Sequence, residues 1–262
     1  MRGDTHVVGG FLANDKLRLP MTLLYLAVKP SLPNAVAVYF LYNALTVAPT
    51  NIGSALPDYD RKTLDNCPTC LPNPWDEIFH GFLLKWGATH RSVHTHNVDL
   101  WTLILGVPAL ILLGVFINTK HDIWFLCFIH LNAYLVGVLS HQFLDMLTMA
   151  GVTPSYFKMM SKKKQFATHR EFREYQNYHS IRITPRKRTM YEMKRIRIKG
   201  VKTPLAKPVP IKIPETEWYK GGGGWEEAIY KMMMIERVKH MKVSKRIADI
   251  VIIILVYKTL AS

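Results

Sequence analysis

The chain has 262 residues, of which 49% are hydrophobic, with 34 Lys plus Arg against 19 Asp plus Glu. That length allows one large domain or two small ones, and three cysteines argue against a disulfide framework. Residues 158–246 hold 24 basic and 8 acidic residues, a balance of +16, which leaves 10 basic and 11 acidic residues elsewhere, so two different regions are joined in one chain.

Residues 1–50 are predicted to form a helical hairpin, because the apolar stretch at 20–48 is interrupted by Lys29, Pro30 and Pro33, which break a single helix. The start is charged and contains glycine, and no cleavage site follows an early apolar core. No signal peptide is therefore expected, and insertion would use internal helices. Residues 51–98 read as a polar loop region. There Cys67 and Cys70 form a lone C-x-x-C among Pro68, Pro72 and Pro74. A structural zinc site needs four ligands and no second C-x-x-C exists, so a turn with two free thiols is expected.

Residues 100–117 carry no charge over 18 positions and predict a transmembrane helix. Residues 123–148 are nearly as apolar, but His130, Asn132, His141, Gln142 and Asp145 interrupt them and should face protein, not lipid. The short connection at 118–122 makes these two helices antiparallel. Residues 90–99 then lie on the same side as 141–148.

In the basic region, β-branched residues mixed with Lys, Arg and Pro at 181–213 suggest short strands and extended segments. Residues 225–242 read as a helix with an apolar face at Met232, Met233, Met234 and Ile235. Residues 250–256 are too short to span, and should pack in a core or lie at the interface. The predicted fold is mainly α: a polytopic helical membrane domain at 1–157 and a basic mixed α/β C-terminal region at 158–262. The excess of Lys and Arg would put the C-terminal region in the cytoplasm of an inner or plasma membrane protein. Membrane lipids are the first expected partners, with anionic lipid or nucleic acid at the basic region.

His141 and Asp145 are four apart, so on a helix they share one face. Ionisable side chains in a membrane-length segment are costly and usually mark a working site. Three further clusters can reach the same side: Asp4 with His6, Asp58 and Asp60 after Pro57, and His90, Arg91, His94 and His96 before the first long apolar helix. Each alone has an ordinary explanation as an exposed terminus, a turn, an interfacial group or an interhelical pair. Together they offer imidazole nitrogen and carboxylate oxygen, the ligand set for Zn²⁺, Mn²⁺ or Fe²⁺ in a site that hydrolyses esters. The candidate metal ligands are His6, Asp58, Asp60, His90, His141 and Asp145, with His94 or His96 as another.

The segments Thr5-His6, Leu56-Pro57-Asp58-Tyr59-Asp60, Thr89-His90-Arg91-Ser92 followed by Thr95-His96, and Ser140-His141 through Asp145-Met146-Leu147-Thr148 with Gly151-Val152 and Pro154 carry a family likeness. Residues 1–157 resemble the YdjM-type family of membrane-bound metal-dependent hydrolases, also described as LexA-binding inner-membrane-associated hydrolases. The family's stretch reads His-Arg-Gly-x-Thr-His-Ser. Here Ser92 replaces the glycine and an extra residue precedes Thr95-His96, which keeps His94 and His96 as alternatives for the second histidine.

That family is in turn similar to zinc-dependent phospholipase C and single-strand nucleases. The resemblance implies a multinuclear zinc site cleaving phosphoesters, with a lipid-like substrate favoured. Arg91 would then clamp a phosphate oxygen, and Asp60 or Asp58 would serve as general base. The alternative is a membrane-anchored binding protein without enzymatic activity. In it the basic tail recruits nucleic acid or a protein partner, with Trp218, Tyr219 and Trp225 available for stacking.

Overall fold

The computed structural model describes residues 3–60, 85, 94–147, most of 151–181, 190–196, 205–211 and 224–262. Cys67 and Cys70 lie outside the described residues.

Two long helices open the chain, α1 (Gly3–Val28) and α2 (Leu32–Ala55). They part where Lys29 and Pro30 break the hydrogen-bond ladder, and Pro33 stands in the first turn of α2, where its missing N–H costs nothing. The helix α2 runs into the expected loop region and continues as a 3₁₀ turn, Leu56–Asp60. Pro49 inside α2 leaves the carbonyl of Leu45 without its helical partner, and the Nδ1–H of His130 donates to that oxygen over 3.2 Å.

The side chain of Asn97 accepts from the Leu100 N–H at 2.8 Å and starts α3 (Val98–Thr119). Within α3 the segment Thr102–Gly106 is π-helical. Lys120, at φ 55° in the left-handed region, ends it, and α4 (Asp122–Met146) returns antiparallel. Later come α5 (Tyr156–Lys163), the antiparallel strands β1 (Met190–Ile196) and β2 (Leu205–Ile211), then α6 (Gly224–His240) and α7 (Val243–Ala261). The described residues are mainly α. Three helices, Leu32–Asp58, Val98–Thr119 and Asp122–Met146, are long and apolar enough to cross a membrane.

Helices α1, α2, α3 and α4 share one core, in which Tyr25, Leu26, Tyr39, Phe116, Phe125 and Ile129 are buried. At the hairpin end of the bundle, Asp122 accepts from the Tyr25 hydroxyl at 2.7 Å and from Lys29 Nζ at 2.8 Å, which ties the turn of the hairpin to the start of α4. At the other end α2 crosses α4 where Gly53 meets the backbone of Tyr134 and Gly137 meets the backbone of Thr50 and Ser54. Only a missing Cβ lets two helix backbones approach so closely.

The C-terminal helices return to this bundle. On α6, Met233 Sδ lies beside Gly9 and the Arg237 guanidinium stands over the Phe11 ring. Of the residues read as an apolar face, Met233 meets α1, while Met232 and Ile235 are exposed, because α6 meets α1 through residues 233 and 237. On α7, Ile253 is fully buried in the common core, Tyr39 donates to Asp249 at 2.7 Å, and Arg246 reaches Asp15 at 3.2 Å. Asp249→Asn should weaken this attachment by about 1.5 kcal/mol, the scale of a hydrogen bond to a charged group. Limited proteolysis in detergent is expected to cleave near α7 sooner in that variant than in wild type.

Candidate metal centre

The end of the bundle away from the hairpin turn gathers four segments: the first turn of α1, the end of α2 with its 3₁₀ turn, the residues just before α3, and the last turns of α4. Each contributes a ligand-type side chain. His6 comes from α1, Asp58 from the 3₁₀ turn, His96 from the approach to α3, and His141 with Asp145 from α4.

His96 Nε2 stands 3.2 Å from Asp145 Oδ2 and 3.7 Å from Asp58 Oδ1. His141 Nε2 is 3.4 Å from Asp145 Oδ2 and 4.0 Å from Asp58 Oδ2. His6 Nε2 is 3.5 Å from Asp145 Oδ1, and its ring stacks on that of His141 with centroids 3.7 Å apart. Two donors at about 2.1 Å from one ion, at a tetrahedral angle, lie about 3.4 Å apart. The separations therefore match donors arranged around a shared cation. Two overlapping sets, His6 with Asp58 and His141, and His96 with His141 and Asp145, each bring their ligand atoms within 4.8 Å of one another.

The orientation of the rings fits the same use. His141 Nδ1 donates to the Ser54 carbonyl at 2.6 Å, because a carbonyl can only accept. The proton is thereby fixed on Nδ1 and the lone pair of Nε2 is directed inward, the arrangement by which an outer partner orients a metal-bound histidine. That Nε2 is buried with no hydrogen-bond partner among the described residues. His96 Nδ1 contacts Thr95 Oγ1 at 2.9 Å, while the Thr95 carbonyl accepts from Trp101 Nε1 at 3.0 Å.

His6, His96, His141 and Asp145 are all buried, and the Asp58 side chain is 17% exposed. Two carboxylates in such surroundings require positive charge nearby. Burial lowers the pKa of His6 well below its ordinary value, helped by His141, and so keeps that imidazole neutral and able to ligate. Burial disfavours the charged form of His96 too, but Asp145 and Asp58 outweigh it and raise its pKa to about 9. Without a metal, the His96 imidazolium is the counter-charge, and a divalent cation is the alternative that this donor set fits.

No known protein family, curated protein or solved structure matches this chain.

Of the remaining candidate residues, His94 is buried with its ring 5.5 Å from that of Tyr156, outside both donor sets, so it is His96 that joins them. Burial, with Lys163 nearby, lowers the pKa of His94. The backbone of Asp60 ends the 3₁₀ turn, but its side chain lies outside the described residues, as do His90 and Arg91.

Gln142, expected to face protein, is buried, and further supporting groups beside it were not singled out from the sequence. Gln142 Nε2 donates to the Asn97 carbonyl at 2.6 Å, and Thr153 N–H donates to the His96 carbonyl at 2.8 Å. Asp99 accepts from Ser155 Oγ at 2.6 Å and from Tyr156 N–H at 2.8 Å, which holds the chain after α4 against the start of α3. The visible signals were Asn97 as a helix cap and Gln142 beside His141 on the same polar helix. Asp99→Ala should loosen the segment that carries His96. Metal affinity is expected to fall about tenfold, the lower end of what outer contacts contribute, as read by competition against a chromogenic chelator.

Proposed function

We propose that the chain is an integral-membrane, metal-dependent hydrolase that cleaves a phosphoester, with a lipid-like substrate favoured. The observation that carries this reading is the convergence of His6, Asp58, His96, His141 and Asp145 from four separate segments at one end of membrane-length helices. The residue likeness to the YdjM-type hydrolases supplies the reaction class. Zn²⁺ suits the donor set, with Mn²⁺ or Fe²⁺ as alternatives.

A bound divalent cation lowers the pKa of a water toward neutrality and offsets charge developing on phosphate oxygens. The protein's own groups do the rest. The Ser54 carbonyl keeps His141 in one tautomer. Asp145, buried among His6, His96 and His141, holds the imidazoles in register. Asp58 is the partly exposed member, and either it or Asp60 would take the proton from the attacking water. Arg91 would clamp a phosphate oxygen through its planar fork. The basic region, facing the cytoplasm, would contact anionic lipid head groups.

Metal analysis of detergent-purified protein prepared without chelators, paired with release of phosphate or alcohol from phospholipid vesicles, tests the reading. Bound metal in at least equimolar amount and chelator-sensitive hydrolysis are expected. Protein that carries no zinc, manganese or iron and hydrolyses nothing, yet binds nucleic acid with steep salt dependence, would instead favour the membrane-anchored binding protein.

A further inference from the structure

The last helix, α7, is 19 residues long, which makes it about 28 Å from end to end and close to the thickness of a bilayer's hydrocarbon core. Four charged residues, Lys245, Arg246, Asp249 and Lys258, keep it from reading as a membrane helix in the sequence, where only 250–256 stand out as apolar. Three of those charges are paired against the bundle. Arg246 meets Asp15 at 3.2 Å, Lys245 meets Asp249 at 3.3 Å, and Asp249, which is buried, also accepts from the Tyr39 hydroxyl at 2.7 Å. Asp15 pairs with Arg18 as well, and the guanidinium groups of Arg18 and Arg246 stand over the Tyr39 ring, 5.4 and 6.0 Å from its centroid. Mutual pairing of this kind is what makes ionisable groups tolerable at membrane depth.

The cluster also sets the level of α7. Tyr39 lies seven residues into α2, about 10 Å from its start and inside a stretch of membrane length. Its neighbours Phe40 and Leu41 are exposed apolar residues on the outside of that stretch. From Asp249 onward α7 continues toward the hairpin turn. Ile250, Ile253, Val256 and Tyr257 pack in the core that holds Tyr25, Leu26 and Phe116, while the other half of α1, at Gly9 and Phe11, is taken by α6.

The side of α7 that faces away from the core is apolar. Ile247, Val251, Ile252 and Leu255 are exposed, and no charged residue is exposed between Arg246 and Lys258. Lys242 and Lys245 stand exposed at one end and Lys258 at the other, where long side chains can reach lipid head groups while their stems stay in apolar surroundings. A helix packed along a membrane-crossing helix at this depth shares its surroundings.

We propose that α7 is a fourth membrane-embedded helix, with lipid acyl chains covering Ile247, Val251, Ile252 and Leu255, and with Ser262 emerging on the hairpin-turn side, opposite the metal centre. The basic residues of α5 and α6 then share the metal-centre side, and only the chain beyond them crosses. Pairing with Asp15 and Tyr39 is what admits a helix with this many charges to the bilayer.

In the full chain with Cys67, Cys70 and Cys127 replaced by alanine, Ser161→Cys on α5 and Ser262→Cys report the two sides through a membrane-impermeant maleimide, applied to intact and to permeabilised cells. One is expected to react in intact cells and the other only after permeabilisation. Reaction of both from the same side overturns the proposal. A bimane label at Leu255→Cys, with Val251→Cys as a second site, should lose fluorescence several-fold in phosphatidylcholine vesicles brominated in the acyl chain and be indifferent to aqueous iodide. Quenching by iodide would place α7 at the water surface, and shielding from both quenchers would mean that protein covers this face; either result overturns the proposal. Neither measurement involves metal, so the outcome stands apart from the hydrolase reading.

Discussion

His141→Ala protein should bind zinc at least about 100-fold more weakly than wild type, a difference of about 2.7 kcal/mol. His141 belongs to both overlapping donor sets, so its removal dismantles each of them. It also leaves the Ser54 carbonyl without the N–H it accepts and takes away the ring on which His6 stacks. Purification without chelators followed by elemental analysis is expected to recover about a tenth or less of the wild-type metal.

Thermal unfolding gives an independent reading. Excess zinc at about 100 times its dissociation constant stabilises a folded protein by about 2.7 kcal/mol, and that rise in melting temperature should vanish in the variant. His96→Ala should behave in the same way, whereas His94→Ala should keep both the metal and the shift. The opposite order for residues 94 and 96 would exchange their roles. Unchanged metal content in both His96→Ala and His141→Ala would remove the centre altogether.

Gly137→Ala should be, with Gly53→Ala, among the most damaging single-methyl changes in the bundle. A Cβ at residue 137 would lie 2.3 Å from the Thr50 carbonyl oxygen and 2.7 Å from the Ser54 nitrogen, both of them backbone atoms that cannot rotate away. Relief requires α2 and α4 to separate by about 1 Å, and overpacking of this kind costs about 3 kcal/mol. The same displacement draws Ser54 and Asp58 away from His141 and Asp145, so loss of metal should accompany loss of stability. Gly114→Ala is the control. Among the described residues no atom beyond its own stretch of helix lies within 4 Å of its added methyl, and alanine at a helical glycine is expected to stabilise by about 0.5–1 kcal/mol. Equal melting temperatures for the two variants would contradict the close crossing.

The parts of the architecture written in local chemistry were legible beforehand. Pro30 and Pro33 announced the hairpin, the uncharged stretch before Ile117 announced α3, and the short connection after it announced an antiparallel α4. His141 and Asp145 were readable as a pair because a helix repeats every 3.6 residues. The choice between His94 and His96 was not readable, since it depends on where the chain turns into α3. Asn97 caps that helix and its carbonyl is held by Gln142, which turns His96 inward and leaves His94 beside Tyr156. The roles of Gly53 and Gly137 were equally hidden, because a glycine gives no sign of which backbone will lie against it. The apolar residues at 232–235 were legible, but which of them would meet α1 was not: Met233 does, while Met232 and Ile235 are exposed.

The five side chains of the centre come from positions 6, 58, 96, 141 and 145, so all but the last two are far apart in the sequence. His96, His141 and Asp145 lie within residues 96–145, but His6 and Asp58 join them only once α1 and α2 have packed against that part. Contacts between residues so distant in sequence form late in folding, and an ion that binds only the finished arrangement adds its affinity to the last step of assembly. Metal uptake would thus lock the complete helical bundle and pass over partly inserted chains.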